Sequence, residues 1–346
     1  MLTACYNKDN CMIKKFKSKK KYFLGSLLVL VITIIVYKGA DLLPFSNQVE
    51  LKSTETYLVE IKEIPVLKSQ LDKNINDDLN IEASPTNISD LFLLESLSAD
   101  AAYVVDIDTG TVLFDRNSER ILLPASTTKL MTALVALDVY DLETIIKVPK
   151  LPAIDGIKGE FRVDEEITVK NLLKAALIES SNDAAYILAT ASANGYSDFV
   201  NQMNHKAKNF NLKSTKYENP AGFDSQVQRS SALDLVILSK ELMKNEFLSS
   251  VVSTKETIIT DVSGKIEHNL YNTHELLGVD PTVVGIKTGT TQGASQVLVT
   301  QFHREGHNIV IVIMGSDDRY LETTELIDWI FDSYIWLTPD EIAGKN

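Results

Sequence analysis

The sequence predicts a mixed α/β (α+β) domain with antiparallel strands near its two ends and helices between them. Three observations predict it. Ala102–Asp108 and Thr111–Asp115 are strand-like runs meeting at Thr109-Gly110, the composition of a tight hairpin turn. Val283–Thr291 and Val297–Phe302 are rich in β-branched residues, and Asn308–Gly315 follows through a Glu305-Gly306 turn. Between these sets, apolar residues recur at helical spacing, as in Leu130, Ala133, Leu134 and Leu137.

The chain has 346 residues and a formal net charge of −13. Seven lysines against Asp9 alone give residues 1–21 a charge of +6, so the remaining chain carries −19. An ectodomain that acidic is a poor nucleic-acid binder, because phosphate contacts need Lys and Arg. The uncharged run Tyr22–Tyr37 follows the basic block. It is short against the roughly 20 residues of a bilayer span, but Ala40–Phe45 extends it and the flanking lysines can snorkel. The basic flank on its N-terminal side places the bulk of the chain outside the cytoplasm. No small-x-small cleavage site follows, so an uncleaved single-pass anchor is favoured over a signal peptide.

The organisation expected is therefore a basic cytoplasmic segment (1–21), a transmembrane signal anchor (22–40), an extracytoplasmic stalk (41–95), a folded domain (96–338) and a tail (339–346). Met12, just before the basic block, is a second candidate start. Cys5 and Cys11 are the only cysteines and precede the anchor, so the exported part has no disulfide. The stalk mixes charged and polar residues with Pro65 and Pro85, and Tyr57–Val66 alternates enough for one strand.

Asp108-Thr109-Gly110 spells the aspartic-protease tripeptide, but that chemistry needs two such carboxylates and no second copy appears. A hairpin turn accounts for it. The next landmark is Pro124-Ala125-Ser126-Thr127-Thr128-Lys129. Pro124 suits the mouth of a helix. Residues three apart share a helix face, so Ser126 and Lys129 project together near the N-terminus, where backbone N–H groups favour an oxyanion. A serine needs an adjacent base, and a desolvated lysine can serve. By itself the pair reads equally well as an N-cap.

A less regular stretch with Pro149, Pro152, Gly156 and Gly159 leads to a helix over Val169–Ile178. A second helix, Ala184–Ala191, starts at once, leaving Ser180 and Asn182 at the junction. They serve as caps or, in a cleft, as a hydroxyl and a carboxamide for a substrate. Lys287-Thr288-Gly289 ends a strand, and its glycine lets a substrate backbone approach. An amphipathic helix from about Glu322 to Trp336 closes the domain.

Each tripeptide alone is weak; their order and spacing are not. Ser-x-x-Lys, Ser-x-Asn and Lys-Thr-Gly are the set found in penicillin-binding proteins and class A β-lactamases. Residues 98–337 resemble the low-molecular-weight penicillin-binding proteins, the serine D-alanyl-D-alanine carboxypeptidases. Asn219-Pro220-Ala221-Gly222-Phe223-Asp224, Ser230-Ser231-Ala232-Leu233-Asp234-Leu235 and Asn272-Thr273-His274-Glu275-Leu276-Leu277 are similar to three further motifs of that family. Class A β-lactamase is disfavoured, since no Glu-x-x-Leu-Asn segment lies between Ser180 and Lys287.

The resemblance implies an antiparallel sheet flanked by helices plus an all-helical lobe, with the active site between them. It implies Ser126 as nucleophile, Lys129 as base, Ser180 as proton relay and Asn182 as partner of Lys129 and of a substrate carbonyl. Lys287, Thr288 and Gly289 would receive a terminal carboxylate, and the backbone N–H groups of Ser126 and Thr290 an oxyanion. Arg319 is a further carboxylate contact or an ordinary surface arginine. Peptidoglycan stem peptides are the implied substrate, β-lactams the implied covalent inhibitors, and no cofactor or metal is required. The five histidines (205, 268, 274, 303 and 307) form no ligand motif. Thr290 and Ser295 depart from common family residues, the second position often being glycine. About ten residues follow Trp336, so the family's C-terminal β-domain is expected to be missing. Endopeptidase relatives also lack it, which keeps cleavage of cross-links open. A silent wall-binding protein is the remaining alternative.

Overall fold

The computed structural model describes residues 84–87 and 97–337. The expected cytoplasmic segment, anchor, Tyr57–Val66 strand and tail lie outside the described residues. Among the described residues no helix is long and apolar enough to cross a membrane.

In chain order the elements are β1 (Ser84–Asn87), β2 (Ala101–Asp106), β3 (Val112–Arg116), a single 3₁₀ turn (Ala125–Thr127) and α1 (Thr128–Val139). Next come β4 (Ile145–Lys147), β5 (Glu166–Thr168), α2 (Val169–Lys174), a π turn (Ala175–Glu179), α3 (Asn182–Thr190) and α4 (Gly195–Asn209). Then follow α5 (Ala232–Met243), α6 (Glu246–Val252), β6 (Glu256–Thr260) and β7 (Glu267–Tyr271). The last elements are β8 (Val283–Thr291), β9 (Ser295–Arg304), β10 (His307–Ser316), α7 (Arg319–Ser333) and β11 (Tyr334–Leu337).

A five-stranded antiparallel sheet of order β3-β2-β10-β9-β8 forms the frame. Strand side chains alternate between faces, and here both faces are covered. Val310, Val312 and Met314 of β10 join the core beneath the helical lobe, with Leu130, Leu172 and Leu235. Ile309, Ile311 and Ile313 of the same strand join the other core, beneath Leu326, Ile327 and Ile330 of α7. That double burial explains why β2 and β10 read as continuous apolar runs. Each large side chain so buried contributes about 1.5–3 kcal/mol. The hairpin before β3 closes as expected. Asp106 Oδ1 accepts from the backbone N–H of Asp108 and Thr109, and Gly110 turns the chain at φ +75°.

Two expectations need correcting. The Val169–Ile178 helix is α only to Lys174; its last turn widens to a π turn and ends on Ser180 in left-handed conformation, φ +66°. The closing helix stops at Ser333, and Tyr334–Leu337 extends as β11, antiparallel to β1. Aromatic and β-branched residues there favour a strand, and extension brings their polar tips to partners. Tyr334 Oη donates to Leu113 O at 2.7 Å and Trp336 Nε1 to Asp106 Oδ2 at 2.7 Å. β1 falls inside the segment given to the stalk, so ordered backbone begins upstream of residue 96.

Candidate active site

The nucleophile region is set by a strained elbow. Ala125 sits at φ +48°, a region that costs a non-glycine residue about 1–3 kcal/mol. Two glycines from separate motifs pack on it. A Cβ on Gly222 would lie 1.8 Å from Ala125 O; one on Gly289 would lie 2.8 Å from Ala125 Cβ and 2.9 Å from Ser126 N. Only bare backbone allows the loop after Pro220 and the edge strand β8 to close on the elbow together. Ser126 follows within the 3₁₀ turn rather than in α1 itself, and Lys129 is the second residue of the helix.

Lys129 is fully buried, and its Nζ has three oxygen neighbours. They are Ser126 Oγ at 2.8 Å, Asn182 Oδ1 at 2.7 Å and Ala221 O at 2.9 Å. The last two can only accept. As an ammonium Nζ donates to all three oxygens; as a neutral amine, with two N–H donors and one lone pair, it would satisfy both acceptors and receive the hydroxyl of Ser126. Burial and the neighbouring Lys287 ammonium hold its pKa well below the usual lysine value, against the opposing pull of Asp183.

Asn182 is held in turn. Its Nδ2 donates to Asp155 O at 2.8 Å and its backbone N–H to Ile157 O at 2.9 Å. Ser181 caps α3 by accepting from Ala184 N at 3.1 Å. The left-handed residue that ends the π turn is Ser180, which lines the cavity beside Ser126.

The opposite wall is β8, the exposed edge of the sheet. Lys287 is 1% exposed, and burial and the Arg319 guanidinium push its pKa down to about 7. Thr288 Oγ1 lies 2.6 Å from Thr273 Oγ1. Arg319, at the start of α7, passes under β8: Nη1 donates to Gly289 O at 2.9 Å and Thr290 Oγ1 at 2.8 Å. It packs over the Tyr320 ring at 4.9 Å. This is a placed cavity residue, and the surface-arginine reading does not hold. Ser295 adopts φ +53° at the β8–β9 turn, which explains why a glycine is at home in that position.

Ser126, Ser180, Asn182, Thr288, Gly289, Thr290 and Arg319 thus line one cavity of about 460 Å³, with Lys129 and Lys287 buried behind it. Sequence reasoning assigned no role to Ala221 or to Asp224. Ala221 acts through a carbonyl that any residue would supply. Asp224 ties the same loop to the β8–β9 turn, accepting from Thr291 Oγ1 at 2.5 Å and Gly293 N at 2.8 Å. The only signal for either was the motif Asn219–Asp224 as a block.

A buried lysine within hydrogen-bond reach of a serine, beside further cations, is an arrangement suited to acyl transfer through the serine with the lysine as base. The chain belongs to the D-alanyl-D-alanine carboxypeptidase family, whose model matches residues 87–318. It is 33% identical over 245 residues to the D-alanyl-D-alanine carboxypeptidase DacF of Bacillus subtilis, covering 68% of this chain and 63% of that one. It is 31% identical over 266 residues to a D-alanyl-D-alanine endopeptidase of Pseudomonas aeruginosa, covering 75% and 86%. The crystal structure of a Streptomyces DD-transpeptidase superposes with a TM-score of 0.65 at 26% identity, over 68% of this chain and 98% of that one. Penicillin-binding protein D2 of Listeria monocytogenes, in its cefotaxime-bound form, superposes with a TM-score of 0.61 at 25% identity, over 70% and 100%. The chain thus spans less than two thirds of the Bacillus relative's length.

Proposed function

We propose that this chain is a serine D,D-carboxypeptidase that removes the terminal D-Ala from peptidoglycan pentapeptide stems. The observation that carries it is the triple coordination of Lys129 Nζ by Ser126 Oγ, Asn182 Oδ1 and Ala221 O. Neutral Lys129 takes the Ser126 hydroxyl proton as Oγ attacks the carbonyl of the penultimate D-Ala. The oxyanion is received by the backbone N–H groups of Ser126 and Thr290. The C–N bond then breaks, Ser180 gives its hydroxyl proton to the departing amine and takes one from the Lys129 ammonium, and D-Ala leaves an acyl ester on Ser126. Water, activated by the same lysine, hydrolyses that ester. Lys287, Thr288 and Arg319 hold the terminal carboxylate and set the register of the stem. A β-lactam enters the same path and stays as the ester, in line with the cefotaxime-bound Listeria relative. The basic block and apolar run at residues 14–37 support a single-pass anchor holding this domain outside the cell.

Cleavage of D,D-cross-links is the second reading, favoured by the Pseudomonas endopeptidase, 86% of which this chain covers. Both are tested by incubating the full-length protein, with Ser126→Ala as control, with pentapeptide monomers and cross-linked dimers and weighing the products. Loss of one alanine from monomers, absent in the control and blocked by penicillin, is the expected result. Splitting of dimers without that loss makes the chain an endopeptidase. Neither change in folded protein leaves a wall-binding protein.

A further inference from the structure

One wall of the cavity is a loop, residues 151–165, fastened from behind by a buried pair that the reaction does not touch. Gly156 and Ile157 line the cavity. Asp155 O and Ile157 O are the acceptors that orient Asn182, the partner of Lys129. Two residues on, the loop is pinned through both backbone groups of one residue. Gly159 N donates to Asp183 Oδ1 at 2.8 Å and to Ser181 Oγ at 3.1 Å. Gly159 O meets His268 Nδ1 at 2.8 Å, and His268 Nε2 meets Glu165 Oε1 at 2.8 Å. Glu165 Oε2 accepts from Arg162 N at 2.9 Å, and Phe161 packs on the imidazole at 4.6 Å. The imidazole of β7 thus ties both ends of 159–165, and both side chains are buried.

Hydrogen-bond accounting fixes the proton content of this knot. A carbonyl only accepts, so Nδ1 must carry a proton to bond Gly159 O. Nε2 of that neutral tautomer is a lone pair, and it faces a carboxylate oxygen. The second bond therefore needs one more proton, on Nε2 or on Glu165. Remove it and two lone pairs confront each other at 2.8 Å, at Gly159 or at Glu165 according to tautomer. An unmade bond at a buried site is expensive, so one end of the loop is released.

We propose that His268 and Glu165 are positioning residues for the Lys129–Asn182 contact, and that they hold it only while sharing this extra proton. The inference rests on the reading of Ser126 and Lys129 as nucleophile and base. The groups facing the pair are Lys158, Glu160 and Arg162 of the loop, Glu179 and Asp183 at the helix junction and Glu267 on β7. Asp164, Glu166 and Asp261 stand beside Glu165. The Glu179 carboxyl is pushed up by burial and by Asp183, against the opposing pull of His268.

The test compares the full-length protein with Glu165→Gln and His268→Asn over about pH 6 to 9. It reads deuterium uptake at residues 151–165, corrected for intrinsic exchange, and the rate at which a fluorescent penicillin acylates Ser126. In the unaltered protein, uptake at the loop is expected to rise with pH. Glu165→Gln should abolish that rise, because a glutamine N–H donates to the imidazole lone pair without the extra proton. His268→Asn keeps a donor for Gly159 O but does not reach Glu165, so uptake should be high at every pH. Its acylation should be slower by about tenfold, the scale of one lost charged hydrogen bond. Lys287 loses charge over the same range in all three proteins, so the differences between them carry the result. Loop uptake that is flat with pH in the unaltered protein overturns the proposal, as does a rise that survives Glu165→Gln. Failure of the unaltered protein to acylate at any pH strikes at the nucleophile reading instead, and the uptake comparison still decides the latch.

Discussion

Two lysines are buried at this site, one on each wall, and the proposed reaction gives them opposite work. Lys129, on the helical wall, has every position on its nitrogen matched, and two of its partners are oxygens that only accept. Lys287, on the strand wall, reaches only Thr288 O, and at 3.3 Å. A saturated amine whose third neighbour is a hydroxyl is built to trade a proton. An under-coordinated cation, within the electrostatic reach of Arg319 behind an edge strand, suits an anion arriving from outside. Burial lowers both pKa values; the difference between base and anchor lies in which partners are already in place.

The comparison is most easily broken at Lys129. Lys129→Arg preserves charge and approximate length, but a guanidinium does not deprotonate in a protein. Acylation of Ser126 by penicillin is expected to fall by about 10³-fold, the middle of the range for a lost general base. Retention of more than a tenth of the rate would remove Lys129 from that role. The same wall depends on backbone fit at Gly222. Gly222→Ala puts a Cβ on the Ala125 carbonyl at φ +94°, so the elbow or the loop must move. A shift near 1 Å costs on the order of 100-fold in acylation. The thermal transition should fall as well, and wild-type kinetics would show that the elbow tolerates displacement.

How legible these walls were in the sequence follows from how local each feature is. The Ser126–Lys129 pairing needs only helix spacing, and the turn after Asp106 only its Thr-Gly pair. β2 and β10 announced themselves because double burial makes them continuously apolar. Helix α4 gave little signal: Phe199, Met203 and Ala207 are its buried residues, one per turn in a polar segment. β4 with β5 and β6 with β7 are short pairs whose partners lie far apart or carry mixed polarity. The contacts that orient the base were the least legible. Lys129 meets a carbonyl 92 residues away and His268 a carboxylate 103 residues away, and no local pattern records such pairings.

The strand wall is sharpened by pH. Lys287 titrates at about 7 in the free site, so above that value it loses the charge that attracts a carboxylate. KM for a stem ending in D-Ala-D-Ala is expected to rise several-fold from about pH 7 to pH 9, with kcat little changed, because a bound carboxylate restores the ammonium. On the acid side the sign reverses, since Lys129 acts only when neutral and kcat/KM climbs as it loses its proton. A substrate amidated at its terminus should keep the acid limb and show no alkaline rise in KM. An equal rise for both substrates would place the alkaline group elsewhere.

The smallest effect is expected where the two walls are tied at the surface. Asp224 joins the loop carrying Ala221 O to the β8–β9 turn, through Thr291 Oγ1 and Gly293 N. That loop is also held from within, by Asn219 Oδ1 accepting from the N–H groups of Ala221, Gly222 and Phe223 at 3.2, 2.8 and 3.0 Å. Asp224→Asn keeps the shape, loses the charge and turns one acceptor into a donor facing Thr291 or Gly293. At an exposed site this should cost about 1 kcal/mol of stability, read as a small drop in the thermal midpoint. Acylation should change no more than a few-fold, because Asn219 and the packing of Gly222 on Ala125 still fix the carbonyl that Lys129 uses. A loss as large as that of Gly222→Ala would mean that the strand wall, through this tie, holds the base in register.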